Sequence, residues 1–312
     1  MSREVASLLT MDRVTRRYGA RVALLDVSLS LGAGIVGLIG PNGAGKTTWL
    51  RLAAGLIRPS TGVVSWCGGL PRRHADLANR IAIASDGDAL PVQDSGHDLV
   101  RTLLEAAGAT GIAASARADE VLERLGLADK ADMPIGQLSR GQRQRVKLAV
   151  AFSLPASVIL LDEPQNALDP VWRLEVAALC REARDAGALV VVSSHILEEV
   201  EAIADRLVVL YRGRVVATGP KDAVRRELGR KGTALLVRCS DARALGRSLL
   251  GHPAVLRLDI DGPWVRVAGA DLSAISRGLA SAVLGSGVAV HEVRTEGDDL
   301  TSVFRALGNE VR

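Results

Sequence analysis

Runs of apolar residues along the first 220 positions predict an α/β fold. Residues Val22–Leu31 alternate between apolar and polar side chains, which is typical of a strand in an antiparallel hairpin or at a sheet edge. Ile35–Ile39 is a short apolar run that ends in a glycine-rich turn, and two later runs are wholly apolar, as expected of central strands in a parallel sheet: Val158–Leu161 and Leu189–Val192. Between the last two, Val171–Ala186 has helical spacing, so we expect helices to connect parallel strands.

Two further segments of this region have a helical pattern. One begins at Lys46 and is expected to end near Leu56, because Pro59 lies just beyond it. The other, Val100–Leu127, has apolar residues at helical intervals. We therefore expect a mainly parallel sheet core, an antiparallel β subdomain near the start of the chain, and a helical subdomain at about residues 87–150.

The pattern changes after about Gly219. The charged stretch Lys221–Lys231 is interpreted as a helix or linker, and the elements that follow have the order β-α-β-β-α-β, typical of a small ferredoxin-like α+β domain. The predicted organisation is a domain at 1–220, a linker at 221–232 and an accessory domain at 233–312. The predicted strands of the accessory domain are Ala234–Cys239, Val255–Ile260, Trp264–Val267 and Val288–Val293. Its predicted helices are Asp241–Leu250, Asp271–Leu284 and Asp299–Leu307.

Composition and charge favour a chain that works in the cytoplasm without nucleic acid. The net charge is +4 and the basic residues are scattered, so no nucleic-acid partner is expected. The three cysteines lie far apart without a CxxC pair, which favours free thiols in a reducing compartment. No apolar run approaches the ~18 residues of a membrane span, and the N-terminus lacks an apolar signal core. We expect a soluble protein that can dock on a membrane protein.

The segment Gly40–Thr48 matches the phosphate-binding pattern G-x-x-x-x-G-K-[ST]. Its glycines let successive N–H groups point at phosphate oxygens, and the following helix adds a favourable dipole. Lys46 is predicted to bind the β- and γ-phosphates and Thr47 to ligate Mg²⁺. The pattern predicts a P-loop nucleotide-binding protein without separating GTPases, ATPases and kinases. The predicted phosphate-loop residues are Gly40, Pro41, Asn42, Gly43, Ala44, Gly45, Lys46, Thr47 and Thr48.

Two carboxylates follow the apolar strand Val158–Leu161. Strand ends of an open parallel sheet face the ligand crevice. Asp162 is predicted to hold Mg²⁺ through its water shell, because this ion prefers hard oxygen ligands. Glu163 is predicted to polarise the attacking water as a general base. An Asp-Glu pair alone is a weak signal, but together with the phosphate loop it predicts a site of nucleotide hydrolysis.

Another helix is predicted to begin after Ser139, its N-cap. The free N–H groups and the cap side chain form a second anion site. A chain with its own P-loop does not need a second phosphate site for one ATP, so this site is predicted to serve the ATP of another subunit. The residues predicted to contact the partner's ATP are Ser139, Arg140, Gly141 and Gln142.

These motifs, in their order and spacing, resemble those of the ATP-binding-cassette (ABC) ATPases over about residues 5–220. The segment LSRGQ, beginning at Leu138, resembles the family signature, and ALDP, beginning at Ala167, resembles the D-loop, with alanine where glycine is usual. The resemblance implies that His195 contacts the γ-phosphate, that Tyr18 stacks on adenine, and that Asp169 completes the partner's site. It also implies ATP and Mg²⁺ as ligands and a head-to-tail dimer, expected to be a homodimer.

One position departs from the family pattern. The family usually carries a glutamine that touches Mg²⁺ and links ATP binding to the transport partner. Asp86 is aligned with it here, and Gln93 is the other candidate. Two readings stay open for Asp86: a charged ligand of the metal, or a solvated side chain in a loosely built loop.

The resemblance also implies what the hydrolysis drives. A single cassette without membrane spans is similar to the ATP subunits of bacterial exporters, and the tail Glu296–Phe304 resembles the acidic-hydrophobic tail of that group. We expect an integral membrane permease as partner, which would place the chain on the inner face of the cell membrane. The alternatives are a soluble non-transport ABC ATPase, or a regulatory nucleotide sensor, which only the Asp86 departure favours.

Overall fold

The computed structural model describes residues 7–67, 80–87, 90–224, 234–269 and 272–296. The chain divides into two compact units, Met1–Thr218 and Gly219–Arg312. Most of the predicted linker, the predicted helix Asp299–Leu307 and most of the tail Glu296–Phe304 lie outside the described residues, so the predicted domain boundaries stay predictions. No helix in the described ranges has the length and apolar composition of a membrane-spanning segment.

An antiparallel sheet opens the first unit. Its strands lie in the order β2-β1-β4 and pair antiparallel, so the predicted hairpin at Val22–Leu31 is confirmed. Apolar side chains of all three strands, including Met11, Leu24 and Val64, are buried in the main core. The strands are β1 (Leu9–Tyr18), β2 (Arg21–Leu31) and β4 (Thr61–Trp66).

A six-stranded sheet forms the centre of the first unit. Its strands are β3 (Gly34–Ile39), β5 (Ile81–Ala84), β6 (Val158–Asp162), β7 (Leu189–Ser194), β8 (Arg206–Tyr211) and β9 (Arg214–Pro220). The spatial order is β5-β6-β7-β3-β8-β9, and the pairs from β5 to β8 are parallel. Every residue of β6 and β7 is buried, which explains their apolar runs Val158–Leu161 and Leu189–Val192 and confirms the predicted parallel core.

Helices connect these strands. They are α1 (Lys46–Ala53), α2 (Gly96–Ala106), α3 (Gly111–Arg124), α4 (Arg140–Ser153), α5 (Pro170–Asp185) and α6 (Leu197–Glu201). The first helix ends three residues before the predicted Leu56, because Gly55 adopts a positive φ of 67°. The helical stretch Val100–Leu127 is divided between α2 and α3, and Gly108, at φ 101°, lies in the turn between them.

The second unit has strands and helices in the order β-α-β-β-α-β. They are β10 (Ala234–Cys239), α7 (Ala242–Leu249), β11 (Arg257–Asp261), β12 (Trp264–Ala268), α8 (Leu272–Ser286) and β13 (Val290–Glu296). The sheet is antiparallel in the order β11-β12-β10-β13. Alternate residues of β10 and β12, such as Val237 and Val265, are buried with Leu245 of α7. Its assignment to the ferredoxin-like class stays a prediction.

Candidate active site

The predicted phosphate loop connects β3 to α1 and lines a cavity of about 320 Å³. Two of its glycines are required by sterics. A Cβ at Gly40 would lie 2.4 Å from the carbonyl oxygen of Leu210, and a Cβ at Gly45 would lie 2.7 Å from that of Ala23. Gly45 also has a φ of 112°, which favours glycine. The loop can therefore curl only with these residues, and its free N–H groups at the start of α1 form an anion site.

Lys46 is buried at the base of this loop. Its Nζ donates a hydrogen bond to the carbonyl oxygen of Gly40 at 2.8 Å and lies 3.4 Å from Oε1 of Glu163. Only 7% of Lys46 is exposed, so its charge is compensated by these partners rather than by bulk water. The ammonium group is a cation already positioned beside the loop that would hold phosphates.

The Asp162 carboxylate ends β6 and is held on both oxygens. Thr47 Oγ1 donates to Oδ2 at 2.8 Å, and Ser193 Oγ donates to Oδ1 at 2.6 Å. The same Ser193 hydroxyl accepts the backbone N–H of Glu163 at 3.0 Å. Sequence reasoning did not single out Ser193, although a polar residue at the end of a buried strand was a signal that could have found it.

Glu163 lies between two basic side chains. Its Oε2 is 2.9 Å from Nδ1 of His195, and its Oε1 faces Lys46. An ionised carboxylate only accepts hydrogen bonds, so we assign the hydrogen to Nδ1 of the imidazole. Glu163 also has a positive φ of 48°, a sparsely populated conformation that costs of order 1–3 kcal/mol and is concentrated at functional sites.

The residues present fit Mg²⁺. The Thr47 hydroxyl and the Asp162 carboxylate are hard oxygen donors in mutual contact, and Asp86 lines the same cavity. Among the described residues, no group of three His, Cys, Asp or Glu side chains could hold a metal ion by itself. This donor set suits an ion that takes one or two protein oxygens and completes its shell with phosphates and water.

The segment after β5 brings Asp86 to the cavity. Lys147, on α4, donates from Nζ to the carbonyl oxygens of Ser85 at 2.9 Å and Asp86 at 3.2 Å. Asp86 lines the same cavity as Lys46 and Glu163, and its role as a metal ligand stays a prediction. The other aligned candidate, Gln93, is not among the lining residues.

Tyr18 lies at the edge of the cavity and is 43% exposed. The Arg16 guanidinium lies 4.6 Å from the centre of the Tyr18 ring, which places a cation on one ring face. Arg21 and Ala23 of β2 also line the cavity and were not predicted from sequence. The first β-sheet therefore supplies one wall of the site.

The predicted signature residues lie elsewhere. Ser139 is the N-cap of α4, as predicted, in a capping box with Gln142: the Gln142 N–H donates to Ser139 Oγ at 3.3 Å, and the Ser139 N–H donates to Gln142 Oε1 at 2.8 Å. Asp169 is the N-cap of α5 and accepts the Trp172 N–H at 3.2 Å. In the described part of the chain, neither these residues nor Arg140 and Gly141 line the phosphate-loop cavity.

A P-loop after a parallel strand, with a carboxylate pair on the next strand but one of the sheet, defines a P-loop nucleotide hydrolase. The family model described as "ABC transporter" matches residues 24–166. The chain is 32% identical over 307 residues to the daunorubicin resistance ATP-binding protein DrrA3 of Streptomyces coeruleorubidus, covering 97% of this chain and 96% of the relative.

Two further relatives carry names that differ in transport direction. A Nod factor export ATP-binding protein I of Burkholderia orbicola is 34% identical, covering 69% of this chain and 72% of the relative. A methionine import ATP-binding protein, MetN 1, of Rhodococcus jostii is 35% identical, covering 84% and 81%.

Solved structures give the same family. One described as the ATP-binding subunit of an ABC transporter has a TM-score of 0.67 at 28% identity, covering 72% of this chain and 94% of that one. A dimeric bacterial ABC transporter cassette has a TM-score of 0.63 at 25% identity, covering 68% and 98%. A related dimer is in a post-hydrolysis state with ADP and phosphate. The chain belongs to the ATP-binding subunits of ABC transporters, and its activity is ATP hydrolysis.

Proposed function

We propose that this chain powers export through a separate membrane permease. The observation that carries the proposal is the similarity to DrrA3, which spans both chains almost completely, whereas the similarity to the importing relative covers 84% of this chain. The Nod factor relative is named for export, and DrrA3 is named for resistance to a drug, which export of the drug would provide. A permease partner would place the chain on the inner face of the cell membrane.

Hydrolysis is proposed to occur between two copies of this chain arranged head to tail. The signature residues and Asp169 do not line their own chain's cavity, so they are available to the ATP of a second copy. A homodimer supplies both halves of each site from one sequence, and a solved relative is dimeric. ATP would then lie between Lys46 of one copy and Ser139 and Gly141 of the other.

The contacts of the site support a role for each residue. Lys46 binds the phosphates, and this contact draws its ammonium group away from Oε1 of Glu163. The freed carboxylate oxygen of Glu163 then accepts a proton from the attacking water. His195 donates to Oε2 and holds the carboxylate in orientation. Thr47 and Asp162 would hold Mg²⁺, which supplies positive charge that stabilises the transferring phosphoryl group.

The permease is tested by capture from membranes. The tagged Glu163→Gln chain is purified with ATP from detergent-solubilised native membranes, and the proteins recovered with it are identified. Recovery of a multi-span membrane protein in stoichiometric amount is the expected result. Recovery as a dimer alone, or with ribosomes or DNA, would leave the ATPase standing and contradict the transport partner. The Lys46→Ala chain is the matched control, because it lacks the phosphate-binding cation, and it should recover less of the membrane protein with ATP.

A regulatory nucleotide sensor is the second candidate, favoured by Asp86 in place of the family glutamine. A sensor would bind ATP but turn it over slowly. Steady-state hydrolysis by the wild-type chain, purified from the same membranes without the Glu163→Gln substitution, distinguishes the two, since turnover at the usual enzyme scale of about 1 s⁻¹ or faster contradicts a sensor.

A further inference from the structure

The start of α4 lies directly against the loop that leads to α5. A Cβ at Gly141 would lie 2.6 Å from the carbonyl oxygen of Ala167, so this contact admits only glycine without a shift of the backbone. One turn further along α4, the buried Gln144 donates from Nε2 to the carbonyl oxygen of Pro164 at 3.3 Å. Pro164 follows Glu163, so α4 is hydrogen-bonded to the loop that begins at Glu163, the predicted general base.

Arg145 follows Gln144 on α4 and contacts the two neighbouring helices. Its guanidinium is 4.3 Å from the ring centre of Trp172 on α5, which is a cation–π distance. Its Nη1 donates to the carbonyl oxygens of Leu125 at 2.6 Å and Gly126 at 3.1 Å, where α3 ends. Burial lowers the pKa of Arg145, but a guanidinium stays charged at neutral pH. The side chain therefore joins α3, α4 and α5 through one permanent cation.

Trp172 links this cation to Asp169. The Trp172 backbone N–H donates to Asp169 Oδ1 at 3.2 Å, and its ring carries the Arg145 guanidinium. The edge of the ring is packed against Gly126, where a Cβ would lie 2.0 Å from Cη2 of the ring and φ is 62°. Trp172 therefore contacts the end of α3 and Arg145 of α4 through its ring, and Asp169, the N-cap of α5, through its backbone N–H.

We propose that Arg145 is a positioning residue that acts on the other subunit's ATP: through Trp172 it keeps the start of α4 and Asp169 in a single arrangement. The inference rests on the head-to-tail dimer of the proposed function. In that dimer Ser139, Gly141 and Asp169 face the partner's nucleotide, whereas Lys46 and Glu163 serve the chain's own. Loss of the stack therefore impairs the site completed by this chain on its partner and leaves its own P-loop intact.

Single variants separate this role from nucleotide binding. Arg145→Met and Trp172→Leu are expected to lower kcat about 10- to 100-fold, because small displacements of a positioned group have effects of that size. The Kd for ATP of the isolated chain is expected to stay within about twofold. Trp172→Phe keeps an aromatic face and should retain most of the activity. Arg143→Met, which removes a guanidinium two positions earlier on α4, is the matched control and should behave as wild type.

Mixed dimers decide on which site Arg145 acts. They are purified through two different tags, and each contains one Glu163→Gln and one Arg145→Met substitution. When both substitutions are on one chain, the remaining competent site combines a wild-type P-loop with the altered α4 face. When they are on opposite chains, the competent site has an unaltered α4 face. We expect the first arrangement to be about 10- to 100-fold less active than a wild-type/Glu163→Gln dimer, and the second to equal that dimer.

The outcomes are distinguishable. Equal loss in both arrangements would show a local folding role and overturn the proposal, and a loss confined to the second would show action on the chain's own site. If a dimer with one competent site does not hydrolyse ATP, the amount of ATP that remains bound after gel filtration is compared between the two arrangements instead. Failure of the wild-type/Glu163→Gln pair to form an ATP-dependent dimer would overturn the head-to-tail arrangement itself.

Discussion

At the scale of single residues, Glu163 is the side chain whose surroundings define the chemistry. It is in contact with Lys46 and His195, and its backbone N–H is held by Ser193. Glu163→Gln keeps the shape of the side chain but removes its basicity. We expect ATP to bind with unchanged affinity and steady-state hydrolysis to fall by about 10²-fold or more, as for the loss of a general base. Single-turnover and equilibrium binding measurements check the two parts.

Lys46→Ala is the contrasting variant in that experiment. It removes the buried ammonium beside the phosphate loop, so we expect weaker ATP binding as well as lost hydrolysis. Normal hydrolysis by Glu163→Gln would show that another group takes the proton from water.

Asp86 carries a separate prediction about the metal. Because it lines the cavity with Asp162 and Glu163, we expect Asp86→Ala to raise the Mg²⁺ concentration for half-maximal ATPase activity several-fold. Asp86→Asn keeps an oxygen ligand and is expected to lie between wild type and alanine. An unchanged Mg²⁺ titration for both variants would show that Asp86 is only a solvated side chain.

At the scale of elements, α5 carries a prediction about pH. Burial raises the pKa of the Cys180 thiol to about 12. The ordinary value of 9.0 applies once the chain unfolds, so the unfolded state loses this proton first as pH rises. The contribution of Cys180 to stability is therefore present below pH 9 and is lost between about pH 9 and 12. Denaturant midpoints of wild type and Cys180→Ala, compared from pH 7 to 10, measure it; a difference that does not change with pH contradicts the shift.

The elements also show how far sequence patterns reach. The starts of the buried strands β6 and β7 were predicted to the residue, because their apolar runs begin there, but their ends were predicted one and two residues early, because β6 ends in Asp162 and β7 in two serines. The end of α1 was predicted three residues late, because the positive φ of Gly55 ends the helix before Pro59 can. Such an ending depends on backbone conformation, which the apolar pattern does not record.

At the scale of the whole molecule, the proposed head-to-tail dimer carries a prediction about assembly. The signature residues cap α4 away from the phosphate-loop cavity. Glu163→Gln with ATP and Mg²⁺ is therefore expected to elute as a stable dimer, while the same chain with ADP stays monomeric. Size-exclusion chromatography with light scattering measures the mass. A Ser139→Ala, Gly141→Ala variant is the control and should not dimerise; persistence of the dimer in it would contradict the head-to-tail arrangement.

The local motifs of this chain were determined by its sequence alone. The phosphate loop, the Asp162–Glu163 pair and the capping residue Ser139 lie in short contiguous segments, and their chemistry depends on neighbouring residues. Because each motif lies within one short segment, a sequence pattern is enough to identify it. The same holds for the strands, because burial on both faces leaves a continuous apolar run.

Tertiary structure alone decided which distant groups meet. Ser193 reaches Asp162 across 31 positions and Lys147 reaches Ser85 across 62, while Arg145 is stacked on Trp172 of another helix. These contacts depend on strand order and helix packing, which bring together residues that carry no shared local signal. The sequence therefore determined the parts of the ATP site, and the fold determined how those parts hold one another, because packing acts through space and a sequence pattern acts only along the chain.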